Sequence, residues 1–322
     1  MSKNKELSKL LNELEKNYNV QKGTDIDKME IISTGIFALD FVLGNGGIPI
    51  CQGGSTIEFF GAESSGKSTF SLHVIKQFQK QGKLCAYIDA ENSYDPKWAK
   101  TIGVDNDNLL IIKPNSLEEF GDIIIKIASK VDLIVVDSIV SLIPENEIER
   151  DTNQPTMALG ARINSLITRK LYKSLVGQKT VLIFINQLRE KVGVMYGNPY
   201  TTGGGRALKH MYSVRVEFRA GKPIDIGSGD KKERIGIEIN LHTVKNKKGT
   251  PHKKAVIDFM FTGEMRNKKT VFFAGIKYGI IELSGKTYTF KDKKVVGKDK
   301  MMLLLTDANY KEIEREIWKR IK

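Results

Sequence analysis

Gly61-Ala62-Glu63-Ser64-Ser65-Gly66-Lys67-Ser68 follows an apolar run containing Ile57, Phe59 and Phe60, and opens a helical pattern of Phe70, Leu72, Val74, Ile75 and Phe78. Strand, glycine-rich turn, helix: that order gives the spacing G-x-x-x-x-G-K-[ST] a physical meaning. The backbone N–H groups of Ser64 to Ser68 can converge on one concavity at the positive end of the helix dipole, where phosphate oxygens are held. Lys67 is placed to neutralise β- and γ-phosphate oxygens, and the Ser68 hydroxyl to ligate Mg²⁺. Without its flanks the octapeptide would read as an ordinary surface turn; the strand before it and the helix after it argue against that.

Composition narrows the setting. The chain has 322 residues, 40% of them hydrophobic, enough for one large α/β core and a smaller unit. Its two cysteines, Cys51 and Cys85, lie far apart, and its four histidines show no ligand spacing. A reducing compartment is therefore expected, and neither a disulfide framework nor zinc. The N-terminal stretch is charged and amphipathic rather than a signal sequence, and no run approaches the ~18 apolar residues of a spanning helix. A cytoplasmic protein without membrane association follows as the expectation. The net charge is +13, and residues 261–322 carry fifteen Lys and Arg against eight Asp and Glu. Such a balance suggests a polyanionic partner, although Lys-rich chains also carry merely solvated faces.

Leu7, Leu10, Leu11 and Leu14 fall at i, i+3, i+4, i+7 and predict an amphipathic helix over 3–18, followed by a polar linker to residue 30. Its apolar face needs a surface, on its own core or on a neighbouring subunit. From 31 to about 262 strands and helices alternate. Strands are predicted at 56–60, 84–89, 109–112, 133–137 and 181–186, and helices at 67–79, 96–102, 117–129 and 159–175. Several strands are apolar throughout, as in a parallel, doubly wound sheet covered on both faces. Runs at 213–219, 235–244 and 255–261 read as added antiparallel strands, and 263–322 as a small basic α+β domain.

Ligands of such sheets sit at the carboxyl ends of strands. Asp137 ends the apolar run Leu133-Ile134-Val135-Val136 and is placed to hold Mg²⁺; a helix N-cap is the alternative. Glu91, just past Tyr87-Ile88-Asp89-Ala90, is placed to orient and deprotonate a water attacking the γ-phosphate, or is a surface glutamate. Gln187 follows Phe184-Ile185-Asn186 and offers an amide suited to sensing a γ-phosphate, or is a satisfied loop residue. Beyond it the basic, glycine-rich stretch 188–209 suits a phosphodiester backbone. Arg162 and Arg169, seven residues apart on one helix, share a face that can contact successive phosphates or simply face solvent.

These residues together resemble the RecA family of bacterial and phage homologous-recombination proteins, over nearly the whole chain. The most specific segments are 61–69, 87–96, 135–138, 184–187, 193–199 and 244–247. The resemblance implies a RecA-like P-loop NTPase core with an N-terminal polymerisation helix and a small α+β C-terminal domain. It implies ATP and Mg²⁺ bound by Gly61, Glu63, Ser64, Ser65, Gly66, Lys67, Ser68 and Thr69, with Asp137 as the second metal residue. Glu91 would be the general base, with Lys67 and Gln187 completing the catalytic set. Asp95 and Trp98 would contact adenine. Lys245 and Lys247 would reach a neighbouring protomer's ATP. DNA would be held by Met157, Arg162 and Arg169, and by Arg189, Val192, Gly204, Gly205 and Arg206, with the two DNA loops at about 149–157 and 188–205.

The implied activity is DNA-dependent ATP hydrolysis by a helical homo-oligomeric filament on single-stranded DNA, which pairs with double-stranded DNA and exchanges strands. Loading helpers or a repressor are further partners such a protein would meet. Two other readings use the same residues: a single-stranded-DNA coat in which ATP acts as a switch, and a hexameric helicase. The sequence departs from the family at Gly203 (often Thr), Arg206 (often Asn) and His210 (usually aromatic), and it ends Lys319-Arg320-Ile321-Lys322 where many relatives are acidic. A more flexible, more basic second loop and easier capture of duplex DNA are expected from these differences.

Overall fold

The computed structural model describes residues 3–18, 20, 22–25, 28–148, 159–190 and 200–321. Helix α1 (Lys3–Leu14) buries none of its residues, and Leu7 and Leu10 are each 51% exposed. Strand β1 (Glu30–Ile32) pairs antiparallel with β2 (Ile48–Ile50), bracketing α2 (Phe37–Leu43). The sequence reading leaves this unit unassigned. Every residue of α2 is buried, so it has no polar face to mark a helical period. Its one carboxylate, Asp40, accepts the Ser33 hydroxyl (2.5 Å) and the Thr34 N–H (2.8 Å).

The alternating region follows as β3 (Ser55–Gly61), α3 (Lys67–Gln79), β4 (Cys85–Asp89), α4 (Pro96–Ile102), β5 (Leu109–Ile112), α5 (Leu117–Ile127), β6 (Leu133–Asp137), α6 (Glu145–Ile148) and α7 (Leu159–Leu175). Then come β7 (Val181–Glu190), β8 (Tyr200–Thr202), α8 (Gly205–Met211), β9 (Val214–Ile226), β10 (Glu233–Asn246), β11 (Lys254–Met260) and β12 (Met265–Arg266). They build one sheet in the order β12-β11-β10-β9-β3-β7-β6-β4-β5, with β8 attached to β7. The six strands from β9 to β5 are parallel. β9 is thus a correction to the expected antiparallel addition: it follows the crossover helix α8 and returns parallel to β3, and along this order the antiparallel pairings begin only with β9–β10 and continue through β10–β11 and β11–β12.

Leaving β3, the chain passes over β7 and β6 to reach β4. The carboxyl ends of β3, β7, β6 and β4 therefore stand side by side where the winding changes direction, the place such sheets bind ligands. Register sets their levels: Gly61 lies opposite Gln187, Ile185 opposite Asp137, and Asp137 opposite Asp89. Alternate side chains enter two cores. Val135, Ile183 and Ile185 pack with α2 and α3, whereas Ile134, Val136 and Phe184 pack with α5, α7 and α8. Phe218 of β9 contacts Phe59 (5.1 Å between centroids) and Phe70 of α3 (5.0 Å), which fixes α3 against the strand it follows.

The C-terminal elements are α9 (Lys268–Lys277), a three-stranded antiparallel sheet of β13 (Glu282–Ser284), β14 (Thr287–Phe290) and β15 (Lys293–Val296), then α10 (Lys298–Leu304) and α11 (Asp307–Ile321). Phe272, Ile313 and Ile317 join the same core as Phe37 and Phe41 of α2. Trp318 meets Phe37 edge-on at 5.4 Å, and the Asn267 side chain accepts the Ala38 N–H at 3.0 Å.

His73 of α3 is hydrogen-bonded to the Gly263 backbone, and its Nε2 is buried without a partner. Burial pushes its imidazole down from 6.5 to about 4. Between those values the unfolded chain takes up a proton that the native chain refuses, so this residue's contribution is lost as pH falls. Burial pushes Asp40 up to about 6, which acts in the opposite sense, so the raw pH curve mixes the two. The difference between His73→Leu and the parent isolates the histidine: between about pH 7.5 and 5, urea unfolding should show the variant losing about 2 kcal/mol less than the parent.

Candidate nucleotide and nucleic-acid site

The loop from β3 to α3 is shaped by close approach. A Cβ on Gly61 would stand 2.1 Å from the Phe218 carbonyl oxygen, and one on Gly66 2.8 Å from Ile239 Cδ1. Ser64 (φ 56°) and Gly66 (φ 89°) take left-handed conformations that turn the loop into the first N–H groups of α3. The Lys67 ammonium lies inside the loop, donating to the carbonyls of Ala62 (2.7 Å) and Gly61 (3.2 Å). Burial holds it below the usual lysine range, while Asp137, Glu91 and Glu63 pull the other way. Phosphate oxygens are better acceptors for that ammonium than the two carbonyls.

Asp137 Oδ2 accepts the Ser68 hydroxyl at 2.6 Å and the Tyr87 phenol at 2.8 Å. Burial pushes this carboxyl above its ordinary range against the pull of the two hydroxyls. A carboxylate beside a hydroxyl is a donor set for a hard divalent cation, whose charge would offset that burial, so the residues fit Mg²⁺. The N-cap alternative goes instead to Asp95, whose Oδ1 accepts the N–H groups of Lys97 (2.8 Å) and Trp98 (3.2 Å) at the start of α4. Trp98 Nε1 donates to Thr69 Oγ1 at 3.3 Å, which brings the indole beside the phosphate loop.

Glu91 is the meeting point. The N–H groups of Ala90 and Glu91 donate to the Asp137 carbonyl (2.8 and 3.2 Å), tying the turn after β4 to the end of β6. The Asp89 carboxylate accepts the N–H groups of Ser93 (2.9 Å) and Tyr94 (3.2 Å) and closes that turn. Glu91 Oε1 then accepts from the Ser138 hydroxyl (2.9 Å), the Ser141 hydroxyl (3.1 Å) and Gln187 Nε2 (3.2 Å). Three groups predicted separately, Lys67, Glu91 and Gln187, thus share one site with Asp137. Sequence reasoning gives no role to Tyr87, Ser138 or Ser141. For Tyr87 a signal exists: in register it lies opposite Val135, two residues before Asp137, on the same side of the sheet.

The second basic segment differs from the single long loop expected. β7 continues to Glu190 and pairs with β8, Arg189 opposite Thr201, and α8 already begins at Gly205. The segment is a hairpin with laddered legs, and its tip at 191–199 lies outside the described residues. The apolar signal stops at Asn186 because β7 loses β6 as a neighbour after Ile185 and β3 after Gln187, and from Leu188 pairs with β8. Gly204 and Gly205 are left-handed (φ 82° and 81°) at the start of α8, and Arg206 is exposed on its first turn. Gly203 is packed rather than free: a Cβ there would stand 2.2 Å from Val140 Cγ1, and its carbonyl accepts Asn186 Nδ2 at 3.3 Å. Arg162 and Arg169 are both exposed on α7, whose inner face buries Ile167, Leu171 and Leu175. Met157, Val192 and the first loop at 149–157 lie outside the described residues.

Lys245 donates to the carbonyls of Lys209 (2.9 Å) and His210 (3.3 Å) at the end of α8. It lies opposite Arg215, and Arg215 opposite Glu58, three residues before Gly61. Lys245 is therefore level with the middle of β3, and Lys247, whose N–H donates to the Ser213 carbonyl, lies towards its amino end.

The profile of the RecA N-terminal domain family matches residues 5–266. Protein RecA of Lactococcus lactis subsp. cremoris (strain MG1363) is 42% identical over 274 residues, spanning 83% of this chain and 69% of that one. Protein RecA of Francisella tularensis subsp. novicida (strain U112) is 41% identical over 332 aligned residues, spanning 98% of this chain and 89% of that one. Among solved structures, the crystal structure of the RadB recombinase superposes with a TM-score of 0.55 at 18% identity, covering 74% of this chain and 99% of that one. At that identity the likeness is one of fold.

Tyr87→Phe keeps the ring and removes one donor to Asp137, which favours the protonated carboxyl. Nucleotide affinity in Mg²⁺, followed by fluorescence titration against pH, should then lose its acid limb at a higher pH than in the parent. The cost at neutral pH should be about 0.5–1.5 kcal/mol of binding, and an unmoved limb would separate Tyr87 from the candidate metal residues.

Proposed function

Because the chain belongs to the RecA family, whose members are ATPases that use ATP with a divalent metal, we propose that it is a RecA-type recombinase of DNA repair. In this reading it is a DNA-dependent ATP hydrolase that assembles as a helical filament on single-stranded DNA, pairs it with duplex DNA and exchanges strands. The observation that carries the reading is the Gln187–Glu91 hydrogen bond of 3.2 Å. It joins a candidate base at the nucleotide site to the root of a basic hairpin.

The chain's own groups divide the work. On ATP binding, Lys67 exchanges the Gly61 and Ala62 carbonyls for phosphate oxygens. Ser68 and Asp137 are the residues that would hold Mg²⁺, which neutralises charge on the phosphates when bound. Glu91 keeps Oε2 for the attacking water, because Ser138, Ser141 and Gln187 all donate to Oε1. Gln187 trades its bond to Glu91 for the γ-phosphate and shifts the end of β7, and with it the hairpin. Arg162 and Arg169, about 10 Å apart along α7, hold successive DNA phosphates, with Arg189 and Arg206 at the hairpin and the net charge of +13 behind them.

Two features support assembly. The apolar face of α1 forms an open groove of about 540 Å³ lined by Leu7, Leu10, Leu11 and Leu14, suited to a neighbouring subunit. Lys245 and Lys247 lie at the end of β10, two strands across from β3, and suit a neighbour's triphosphate. Among the described residues no helix is long and apolar enough to cross a membrane.

ATP hydrolysis measured with and without single-stranded DNA tests the reading. A several-fold stimulation is expected, and Glu91→Gln should remove it while leaving ATP binding in place. Arg162→Ala and Arg169→Ala should each weaken DNA binding and lower the slope of log affinity against log salt by about 0.7. A hydrolysis rate indifferent to DNA would overturn it.

A further inference from the structure

Both legs of the basic hairpin reach one oxygen, Glu91 Oε1, by different routes. The first route is the Gln187 amide on β7. The second runs through the short 3-10 turn Ile139–Ser141 that follows β6. The Ser141 N–H closes this turn on the Ser138 carbonyl (3.2 Å), the two serine hydroxyls lie 3.2 Å apart, and both donate to Glu91 Oε1. Ile139 is buried and fixes the turn from below. Between Ile139 and Ser141, Val140 projects onto Gly203, the residue after β8.

The fit at Gly203 is tight. Its φ is outside the left-handed region, so the backbone there accepts any residue, and only space demands a glycine. A Cβ would lie 2.2 Å from Val140 Cγ1 and 3.2 Å from Val140 Cβ, so the valine would have to leave its rotamer and the turn carrying it give by a few tenths of an ångström besides. The Gly203 carbonyl accepts Asn186 Nδ2, and Asn186 is bonded along the chain to Gln187. Glu91, Ser141, Val140, Gly203, Asn186 and Gln187 therefore close a ring of contacts.

We propose that Val140 and Gly203 form an interlock that positions the Ser141 hydroxyl on Glu91, so that the second leg of the hairpin helps to aim the base in DNA-stimulated hydrolysis. This rests on the reading of Glu91 as the base. Val140 and Ser141 act through Glu91 and are positioning residues. A rigid valine in a hole with no Cβ transmits displacement of the leg, because packed side chains shift between discrete arrangements rather than deforming continuously.

Steady-state kinetics of a mutant cycle with single-stranded DNA present test it. Gly203→Ala should lower kcat about tenfold, with KM for ATP within about twofold of the parent, since a misplacement of an ångström at a base acts on kcat. Val140→Ala loosens the turn and should lower kcat several-fold. Val140→Ala with Gly203→Ala refills the hole from the other side and should recover to within about threefold of the parent. Val140→Thr keeps the branched shape and should retain parental kcat. In a Ser141→Ala background, Gly203→Ala should add less than about twofold. Additive losses in the double variant, or an undiminished effect of Gly203→Ala without the Ser141 hydroxyl, would overturn the interlock. Glu91→Gln separates the two ideas: if it leaves kcat intact, the reading of Glu91 fails, whereas if it abolishes turnover and the cycle is additive, only the interlock fails. Thermal unfolding of each variant identifies any that has lost its fold, and the paired Ala variant, which lacks the 2.2 Å clash with Cγ1, carries the test should Gly203→Ala prove unstable.

Discussion

A single carboxylate oxygen with three donors organises the functional end of this molecule. Glu91 Oε1 draws the Ser138 and Ser141 hydroxyls from beyond β6 and the Gln187 amide from β7 onto the turn beyond β4. None of these groups is held there by its own element alone. The turn after β4 is fixed by Asp89 and by two N–H bonds to the Asp137 carbonyl, and the strands are fixed by burial on both faces. Hydrogen bonds to an ionised carboxylate are stronger than those between neutral groups, and they orient the carboxylate that receives them.

Beneath that oxygen the sheet carries a second polar device. Glu58, fully buried on β3, is paired with Arg215 of β9 at 2.5 Å and accepts Asn186 Nδ2 from β7 at 3.0 Å. Arg215 also stacks over Phe60 at 4.8 Å and donates to Thr202 Oγ1 at 3.2 Å. A buried charge left without its partner costs several kcal/mol, so this cluster ties three neighbouring strands and the returning leg of the hairpin into one arrangement. The glycine-rich loop after β3 and the hairpin are thereby mounted on one base.

Much of the fold is legible because its elements obey local rules. Strands 109–112 and 133–137 and helices 67–79, 96–102 and 159–175 have the bounds predicted from periodicity, and Asp95-Pro96 marks the start of α4 by cap chemistry. The reading fails where local rules are overridden. α2 is too short and too uniformly apolar to show a period. β7 runs past its apolar stretch because β8 supplies a partner for its polar residues. Gly203 reads as a flexible substitution from sequence, yet it is the receptacle for Val140, a fact about a neighbour sixty-three residues away in the chain.

The sequence by itself determined the glycine-rich turn between strand and helix, the strand-end carboxylates and the alternation that makes a parallel sheet, since each depends on residues within a few positions of one another. Only the tertiary structure decided that Glu91 meets Ser138, Ser141 and Gln187, which lie 47, 50 and 96 residues away, and that Tyr87 and Ser68 converge on Asp137. Periodicity tells a strand which faces it has. The order in which strands lie side by side is set by how the helices cross over the sheet, and that order is what brings distant side chains within hydrogen-bonding distance.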